Sequence, residues 1–221
     1  MISVRQDTCV QNTYLTLQQL LSDTSAELAK LAKSHLESRT AYVEAMASIA
    51  HSSCLRRGHL LQAAIASALG ASGNYEVRSP LRLYGDVQVE RPLGVQDRPR
   101  YIEVDVVAVE PGGTLHAIEV VTSLNAISSH RWRTIQRRFE LARELLPGWI
   151  GDEGLKVNCT KLSLVTLDDP VPEMVCGGAN VIGLDDLENM TAIRVHGCVS
   201  SAMRGFDSAL TPLFTELEAL R

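Results

Sequence analysis

The sequence predicts an α/β fold, a mixed β-sheet flanked by helices with extra helices at its N-terminal side, and three observations support this prediction. The first part of the chain has no proline or glycine before Gly58 and carries leucines at helical spacing. Residues 75–121 then alternate short apolar stretches with proline and glycine, which is typical of strands and turns. Helical and strand patterns alternate in the remainder, as they do in layered α/β domains.

The helical first part divides into two predicted segments. Residues 13–50 have a leucine face and are too long for one ordinary globular helix, so we predict a break near Ser34–Arg39. This segment has three interpretations: a cap on the domain, a cover over a substrate cleft, or the seam of a homodimer. A second helix is predicted from Arg57 to Leu69, with Gly70 as its C-terminal stop. We therefore predict a helical region over residues 1–56 and an α/β domain over residues 57–221.

The best strand signal is a hairpin in the middle of the chain. Tyr101–Val109 and Leu115–Val121 are rich in β-branched residues, and the turn residues Glu110-Pro111-Gly112-Gly113 separate them. The elements predicted after the hairpin are a helix over Ser128–Leu146 that Pro147 and Gly148 end, strands over Lys161–Leu167 and Asn180–Ile182, and helices over Leu184–Met190 and Pro212–Leu220.

Composition restricts the classes of function. The 221 residues carry a formal net charge of −5, which argues against nucleic-acid binding held by overall charge but leaves room for a local basic surface. No run approaches the roughly 18 apolar residues of a membrane helix, and the N-terminus lacks the apolar stretch of a secretory signal. The five cysteines are far apart and without zinc-ligand spacing, so we expect them to be reduced. A cytoplasmic protein without a membrane partner is therefore expected.

Two carboxylates on the predicted hairpin form the most informative chemical pattern. Side chains alternate between the two faces of a strand. One predicted face of the first strand carries Tyr101, Glu103, Asp105 and Val107. If the hairpin brings the matching faces together, Asp105 and Glu119 point into the same space. A hard divalent cation, Mg²⁺ or Mn²⁺, would take these two carboxylates and the Val120 carbonyl as ligands.

The hairpin and its surroundings resemble one superfamily of enzymes. The stretch Y-I-E-V-D-V-V-A-V-E-P-G-G-T-L-H-A-I-E-V-V resembles the metal-binding hairpin of the PD-(D/E)XK nucleases, which include many restriction enzymes and archaeal Holliday-junction resolvases. Asp105 matches the motif aspartate and Glu119 the motif glutamate. Upstream, R-G-H-L-L-Q, which ends at Gln62, resembles the opening helix of that superfamily. The resemblance covers roughly residues 57–190 and implies a restriction-endonuclease-like core that hydrolyses DNA with Mg²⁺.

Two positions depart from the pattern of that superfamily. Val121 stands where the motif lysine is expected, and Gln62 stands where the opening helix often has a glutamate. The lysine ammonium normally helps to orient the attacking water and stabilises charge growing on the phosphate, which valine cannot do. Either a displaced cation replaces the lysine or the fold persists without catalysis. The displaced cation would be one of Lys161, Arg131, Arg133 and Arg137.

Three functions stay open on the sequence alone. The first is a metal-dependent DNA endonuclease of restriction, repair or mobile-element type, in which Asp105, Glu119, Gln62 and Lys161 act in catalysis. The second is a catalytically inactive relative that binds nucleic acid or protein through the same surface. The third is an unrelated α/β interaction protein whose acidic hairpin is incidental.

Arginines are concentrated on the helix that follows the hairpin. They are Arg131, Arg133, Arg137, Arg138 and Arg143. In the nuclease interpretation, Arg131, Arg133 and Arg137 contact DNA phosphates beside the site, because arginine binds phosphate with two parallel hydrogen bonds. The alternative is a solvated helix face opposite an apolar stripe, which carries no function.

Overall fold

A computed structural model describes residues 39–85 and 100–219, together with residues 18, 19 and 22, and every structural statement concerns these residues. The chain divides into two compact units. The helical unit comprises residues 1–72 and 188–221, and the sheet unit comprises residues 73–187. The predicted helix over residues 13–50 lies mostly outside the described residues, as does its predicted break.

Two long helices pack together in the helical unit. Helix α1 spans Arg39–Ala71 and the last helix of the chain, α4, spans His196–Ala219. Apolar side chains three and four residues apart are buried on both, which is the spacing of a core-facing helical stripe. They are Leu60, Leu61, Ala64, Ile65 and Leu69 on α1, and Val199, Ala202, Met203, Phe206 and Leu210 on α4.

Both helices are longer than the sequence predicts. Helix α1 begins at Arg39 and runs through Gly58, so the predicted start at Arg57 is wrong. Helix α4 begins at His196 and contains Pro212, so the predicted start at Pro212 is also wrong. A single glycine costs an internal helical position only about 1 kcal/mol relative to alanine. Burial of the apolar stripes outweighs such local preferences.

The sheet unit confirms the predicted α/β class, because a mixed six-stranded sheet is flanked by helices. Its elements are β1 (Glu76–Arg78), β2 (Leu81–Gly85), β3 (Arg100–Val104), β4 (Val106–Val109), β5 (Thr114–Val121), a short 3-10 helix (Leu124–Ala126), α2 (Ser129–Asp152), β6 (Cys159–Thr166), β7 (Val175–Cys176) and β8 (Ala179–Ile182). Helix α3 (Leu184–Thr191) crosses the boundary between the two units.

The sheet has an antiparallel half and a parallel half. The strand order is β1-β4-β5-β6-β8-β7. Strands β1, β4 and β5 pair antiparallel, whereas β5, β6 and β8 are parallel to one another. Strands β2 and β3 form a separate two-stranded antiparallel ribbon. The predicted hairpin and its turn are confirmed for β4 and β5, where Gly113 N donates to Glu110 O at 2.9 Å and Gly113 has φ +85°, a conformation that favours glycine. The predicted single strand Tyr101–Val109 is wrong, because it is interrupted at Asp105 and its first part, β3, belongs to the ribbon.

Helix α2 covers one face of the sheet through the apolar stripe that the sequence predicts. Its buried residues are Ile135, Phe139, Ala142 and Leu146. The predicted end at Leu146 is wrong, because the helix continues through Pro147 to Asp152. Trp149 and Ile150, beyond the proline, pack against the same apolar cluster as Leu146. This burial offsets the loss of a helical hydrogen bond at Pro147.

The cysteines only partly match the expectation of five reduced thiols. Cys54, Cys159 and Cys176 are free, but Cys198 is disulfide-bonded. The expectation is therefore wrong at Cys198, since sequence spacing does not reveal pairing between distant cysteines. None of the described helices is both long and apolar enough to span a membrane.

Candidate functional site

Asp105 lies at a bend that separates β3 from β4. Val104 and Val107 are both buried in the same apolar cluster, although a regular strand would place them on opposite faces. The side-chain alternation therefore shifts by one residue at Asp105, as it does at a β-bulge. The predicted common face of Tyr101, Glu103 and Val107 is wrong for this reason. Such irregularities re-aim a side chain, and here the re-aimed side chain is a carboxylate.

The bend places the Asp105 carboxylate against the neighbouring strand. Val120 N on β5 donates a hydrogen bond to Asp105 Oδ2 at 2.8 Å. One residue further along the chain, Val106 pairs with Ile118 in the regular antiparallel register. Asp105 therefore lies beside the Glu119–Val120 segment of β5, where its charge acts on Glu119.

Glu119 is a buried carboxyl group on the face of β5 that meets α2. Its side chain is 4% exposed, and Arg138 Nη1 donates to its Oε2 at 3.0 Å. Burial raises the pKa of Glu119 to about 8, and the charge of Asp105 raises it in the same direction. Arg138 and a backbone hydrogen bond from Asp105 act to lower this pKa, but their combined effect is smaller than that of burial and the charge of Asp105. Glu119 therefore carries a proton in much of the neutral pH range.

Arg138 is the cation that the structure brings to the two carboxylates. Its side chain is 40% exposed, so the guanidinium reaches from solvent into the buried site. Burial acts to lower the pKa of Arg138, but the charges of Glu119, Asp105 and Glu103 together raise it. The guanidinium therefore remains protonated beside an acidic group of three residues.

The spacing of Arg138 from the buried residues of α2 indicates that its side chain faces the sheet, which the number of arginines on the helix does not show. Arg138 stands three residues after Ile135 and four before Ala142, both of which are buried. This spacing places it along the apolar stripe that faces the sheet. The neighbouring Arg137 is exposed and pairs with Glu140 at 3.0 Å on the helix surface.

The structure does not bring the predicted displaced cations to the carboxylates. Lys161 pairs in register with His116, whereas Glu119 pairs with Leu164, three residues further along β6. Three residues correspond to about 10 Å, and the odd offset puts Lys161 on the opposite face of the sheet. Arg131 and Arg133 are exposed near the start of α2. As contacts for DNA phosphates, these two and Arg137 stay a prediction.

The two positions that depart from the superfamily pattern lie in different units. Val121 is buried in an apolar cluster with Ile135 and Phe139 of α2, so its side chain is part of the core. Gln62 is half-buried on α1, in the helical unit. Its assistance to the sheet-borne carboxylates stays a prediction, as does the Val120 carbonyl as a ligand.

The Glu119 carboxyl group has one oxygen that lacks a partner among the described residues. Glu119 Oε1 is buried and accepts no hydrogen bond from any described residue. A buried carboxylate oxygen without a donor is costly, and a cation with oxygen ligands would satisfy it. Elsewhere, Asp185, Glu188 and His196 form a group that could hold a metal ion, with one ligand atom of each within 4.8 Å of the others.

Comparisons with known proteins give no match. No family model, no curated protein and no solved structure is similar to the chain. The geometry of the described residues is therefore the basis for a function.

Proposed function

We propose that this chain is a metal-dependent nuclease that hydrolyses DNA phosphodiester bonds at the Asp105–Glu119 site. The observation that carries the proposal is the guanidinium of Arg138, 3.0 Å from Glu119 Oε2 and beside Asp105. The superfamily that the hairpin resembles needs a cation at its carboxylate pair, and Val121 cannot supply one. Arg138 supplies it from α2.

Asp105 and Glu119 would hold Mg²⁺ or Mn²⁺, with the Val120 carbonyl as a further ligand. The partnerless Glu119 Oε1 supports this assignment. A divalent cation at this position supplies a Lewis acid for the phosphodiester. The chain contributes the fixed geometry, because Val120 N holds the Asp105 carboxylate and Arg138 holds that of Glu119.

Arg138 would stabilise the negative charge that grows on the phosphate during hydrolysis. Fixed donors aimed at developing charge are among the largest contributions to catalysis. Arginine stays protonated in proteins, so Arg138 cannot act as the base. The proton of the attacking water must therefore leave by another route, either to solvent or to a phosphate oxygen.

The element order also supports the proposal. Helix α1, the β4–β5 hairpin, helix α2 and strand β6 occur in this order along the chain, with β1, β2 and β3 between α1 and the hairpin. This is the order that the resemblance to the PD-(D/E)XK nucleases implies, with Glu119 on β5 and Asp105 directly before β4.

A second function, a catalytically inactive binding module on the same scaffold, is favoured by a specific observation. The Arg138 guanidinium occupies Glu119 Oε2, one of the two oxygens that this carboxyl group offers to a metal ion. Val121 meanwhile belongs to the apolar core. A site that has exchanged its metal for an ion pair would keep its fold and its DNA-facing surface but would not hydrolyse.

Cleavage assays separate these two functions. Plasmid, single-stranded and branched DNA are incubated with the protein and Mg²⁺ or Mn²⁺, and wild type is compared with Asp105→Ala. The proposal expects cleavage that EDTA and Asp105→Ala both abolish.

Asp185→Ala is the matched control, since Asp185 belongs to the other group that could hold a metal ion. Cleavage that survives Asp105→Ala but is lost in Asp185→Ala would contradict the proposed site. Absence of both cleavage and calorimetric Mg²⁺ binding in the wild type would favour the inactive module.

A further inference from the structure

Two exposed tyrosines face each other on the β2–β3 ribbon. Tyr84 and Tyr101 are directly opposite in the register. Their ring centroids are 5.8 Å apart with an angle of 46° between the planes. Tyr84 is 65% exposed and Tyr101 52% exposed, so the pair leaves most of its surface in solvent.

The inner face of the ribbon holds it in place without the tyrosines. Leu81, Leu83 and Val104 are buried in the cluster that also contains Ala142 and Leu146 of α2. The tyrosines alternate with these residues and therefore point away from the core. A solvent-facing pair of large aromatic residues on an otherwise anchored ribbon is typical of a binding surface rather than of a core.

A charged pair completes the outer face of the ribbon. Arg82 Nε lies 3.1 Å from Glu103 Oε2 across the two strands. The guanidinium carbon of Arg82 lies 5.4 Å from the centroid of the Tyr101 ring. The outer face thus offers the exposed ring of Tyr84 and the ring of Tyr101, over which the Arg82 guanidinium lies.

Strand β3, which carries Tyr101, ends directly before Asp105 of the carboxylate site. Tyr101 precedes Asp105 by four residues, which is at most about 13 Å along a strand. That distance corresponds to about four stacked nucleotides at roughly 3.4 Å each. The charge of Glu103 also reaches Arg138, which binds Glu119.

We propose that Tyr84 and Tyr101 form a stacking platform for an unpaired nucleobase, so that the substrate of this site is DNA with single-stranded or unpaired nucleotides near the bond to be cut. The inference rests on the proposed function and specifies its substrate class. Stacking on aromatic side chains tolerates any base, because every base has a π-face. It also provides affinity that does not depend on positive charge, which suits a chain with a net charge of −5. Arg82 adds a guanidinium that can stack on a base or bind the adjacent phosphate.

Binding measured without hydrolysis tests the platform. Fluorescence anisotropy in EDTA compares a labelled thymidine oligonucleotide with a blunt-ended, fully paired duplex of equal length. We expect the wild type to prefer the single strand. Tyr84→Ala and Tyr101→Ala should each weaken single-strand binding about tenfold, within the range for loss of one stacked base. Duplex binding should not change.

Conservative variants separate stacking from a structural role. Tyr84→Phe and Tyr101→Phe keep the rings and should bind as the wild type does. Val175→Ala is the matched control, because Val175 is 60% exposed on β7, at the far edge of the sheet. Thermal unfolding of each variant checks that the ribbon remains folded, and 2-aminopurine in the oligonucleotide reports stacking by its quenching.

The outcomes distinguish this inference from the proposed function. Unchanged single-strand binding in both alanine variants would overturn the platform, whereas Asp105-dependent cleavage in those variants would leave the nuclease intact. A preference for duplex in the wild type, or equal loss in the phenylalanine variants, would also overturn it. Ring-dependent binding without any cleavage would support the platform and contradict the nuclease.

Discussion

Arg138 and Glu119 show how a single position on a helix can change the chemistry of a site on a sheet. The side chain of Glu119 is 4% exposed and that of Arg138 is 40% exposed. The pair therefore consists of a buried carboxyl group and a partly solvated guanidinium. Removing one partner of such a pair is costly, because it leaves the other uncompensated. The difference between arginine and lysine also matters here, since only arginine offers a planar fork with five donors.

The first prediction concerns the charge of Arg138. In the proposed nuclease, Arg138→Met should lower kcat on the order of a hundredfold or more, with a smaller change in KM, because the guanidinium acts on charge that develops in the transition state. Arg138→Lys should retain part of the activity, since it keeps the positive charge but loses the planar guanidinium with its parallel N–H donors. Steady-state cleavage of a labelled oligonucleotide gives both constants.

Arg137→Met is the matched control for this prediction. Arg137 is adjacent in sequence, but it pairs with Glu140 on the exposed face of α2. Exposed ion pairs contribute only about 0–1 kcal/mol, so this variant should keep both its fold and its kcat. A wild-type kcat in Arg138→Met would show that Arg138 does not act in the reaction.

At the level of secondary structure, two elements have a position next to Glu119 for a cationic side chain: β5 at Val121 and α2 at Arg138. Val121 lies two residues after Glu119 on the same face of β5, but it packs against Ile135 and Phe139. Val121→Lys alone should destabilise the fold by about 1–3 kcal/mol, because it buries an ammonium group in an apolar cluster. In the Arg138→Met background, the new lysine should restore part of the lost cleavage, since it returns a cation to the same carboxylate.

A double-mutant cycle measures this exchange. The four proteins are wild type, the two single variants and the double variant, and each is assayed for cleavage rate and for urea unfolding. Val121→Ile is the control for volume at the same position, and it should remain stable because it stays apolar. A double variant no more active than Arg138→Met would show that a cation at position 121 cannot act on this site.

Periodic features of the elements are predictable from the sequence, whereas interruptions are not. The stripe of Ile135, Phe139, Ala142 and Leu146 on α2 is predicted and observed, because burial follows the helical repeat. The bend at Asp105 is not predicted, since no glycine or proline marks it and only the cluster shared by Val104 and Val107 reveals it. The extension of α2 through Pro147 is missed for a similar reason, because tertiary packing of Trp149 decides it.

For the candidate site, the sequence predicts the pair of carboxylates but not the cation beside them. Asp105 and Glu119 meet as the hairpin pattern predicts, because register within a hairpin is local. Charge and position in the sequence predict Lys161, Arg131, Arg133 or Arg137 as the cation, whereas the structure brings Arg138 to Glu119. Which side chain of a basic helix reaches a buried group depends on the rotation of the helix over the sheet, and one sequence does not specify that rotation closely.

For the molecule as a whole, the buried carboxyl group makes global stability depend on pH. The pKa of Glu119 is raised to about 8 in the folded chain, whereas an unfolded glutamate titrates near 4.3. The folded state therefore holds a proton that the unfolded state has lost in the window between these values. Its stabilising contribution is complete below the unfolded pKa and is lost as the pH rises through about 8.

The last prediction follows from this linkage. Glu119→Gln cannot ionise, so its free energy of unfolding relative to wild type should increase with pH across this window and level off above about pH 8. The slope cannot exceed about 1.4 kcal/mol per pH unit for one proton. Urea unfolding of both proteins between pH 5 and pH 9 gives this difference, and contributions from titrating groups that do not interact with Glu119 cancel. Glu140→Gln, which makes the same change at an exposed position of α2, is the matched control. A difference between Glu119→Gln and wild type that is independent of pH would mean that Glu119 is ionised throughout, held charged by Arg138, and the site would then bind a divalent cation without releasing a proton.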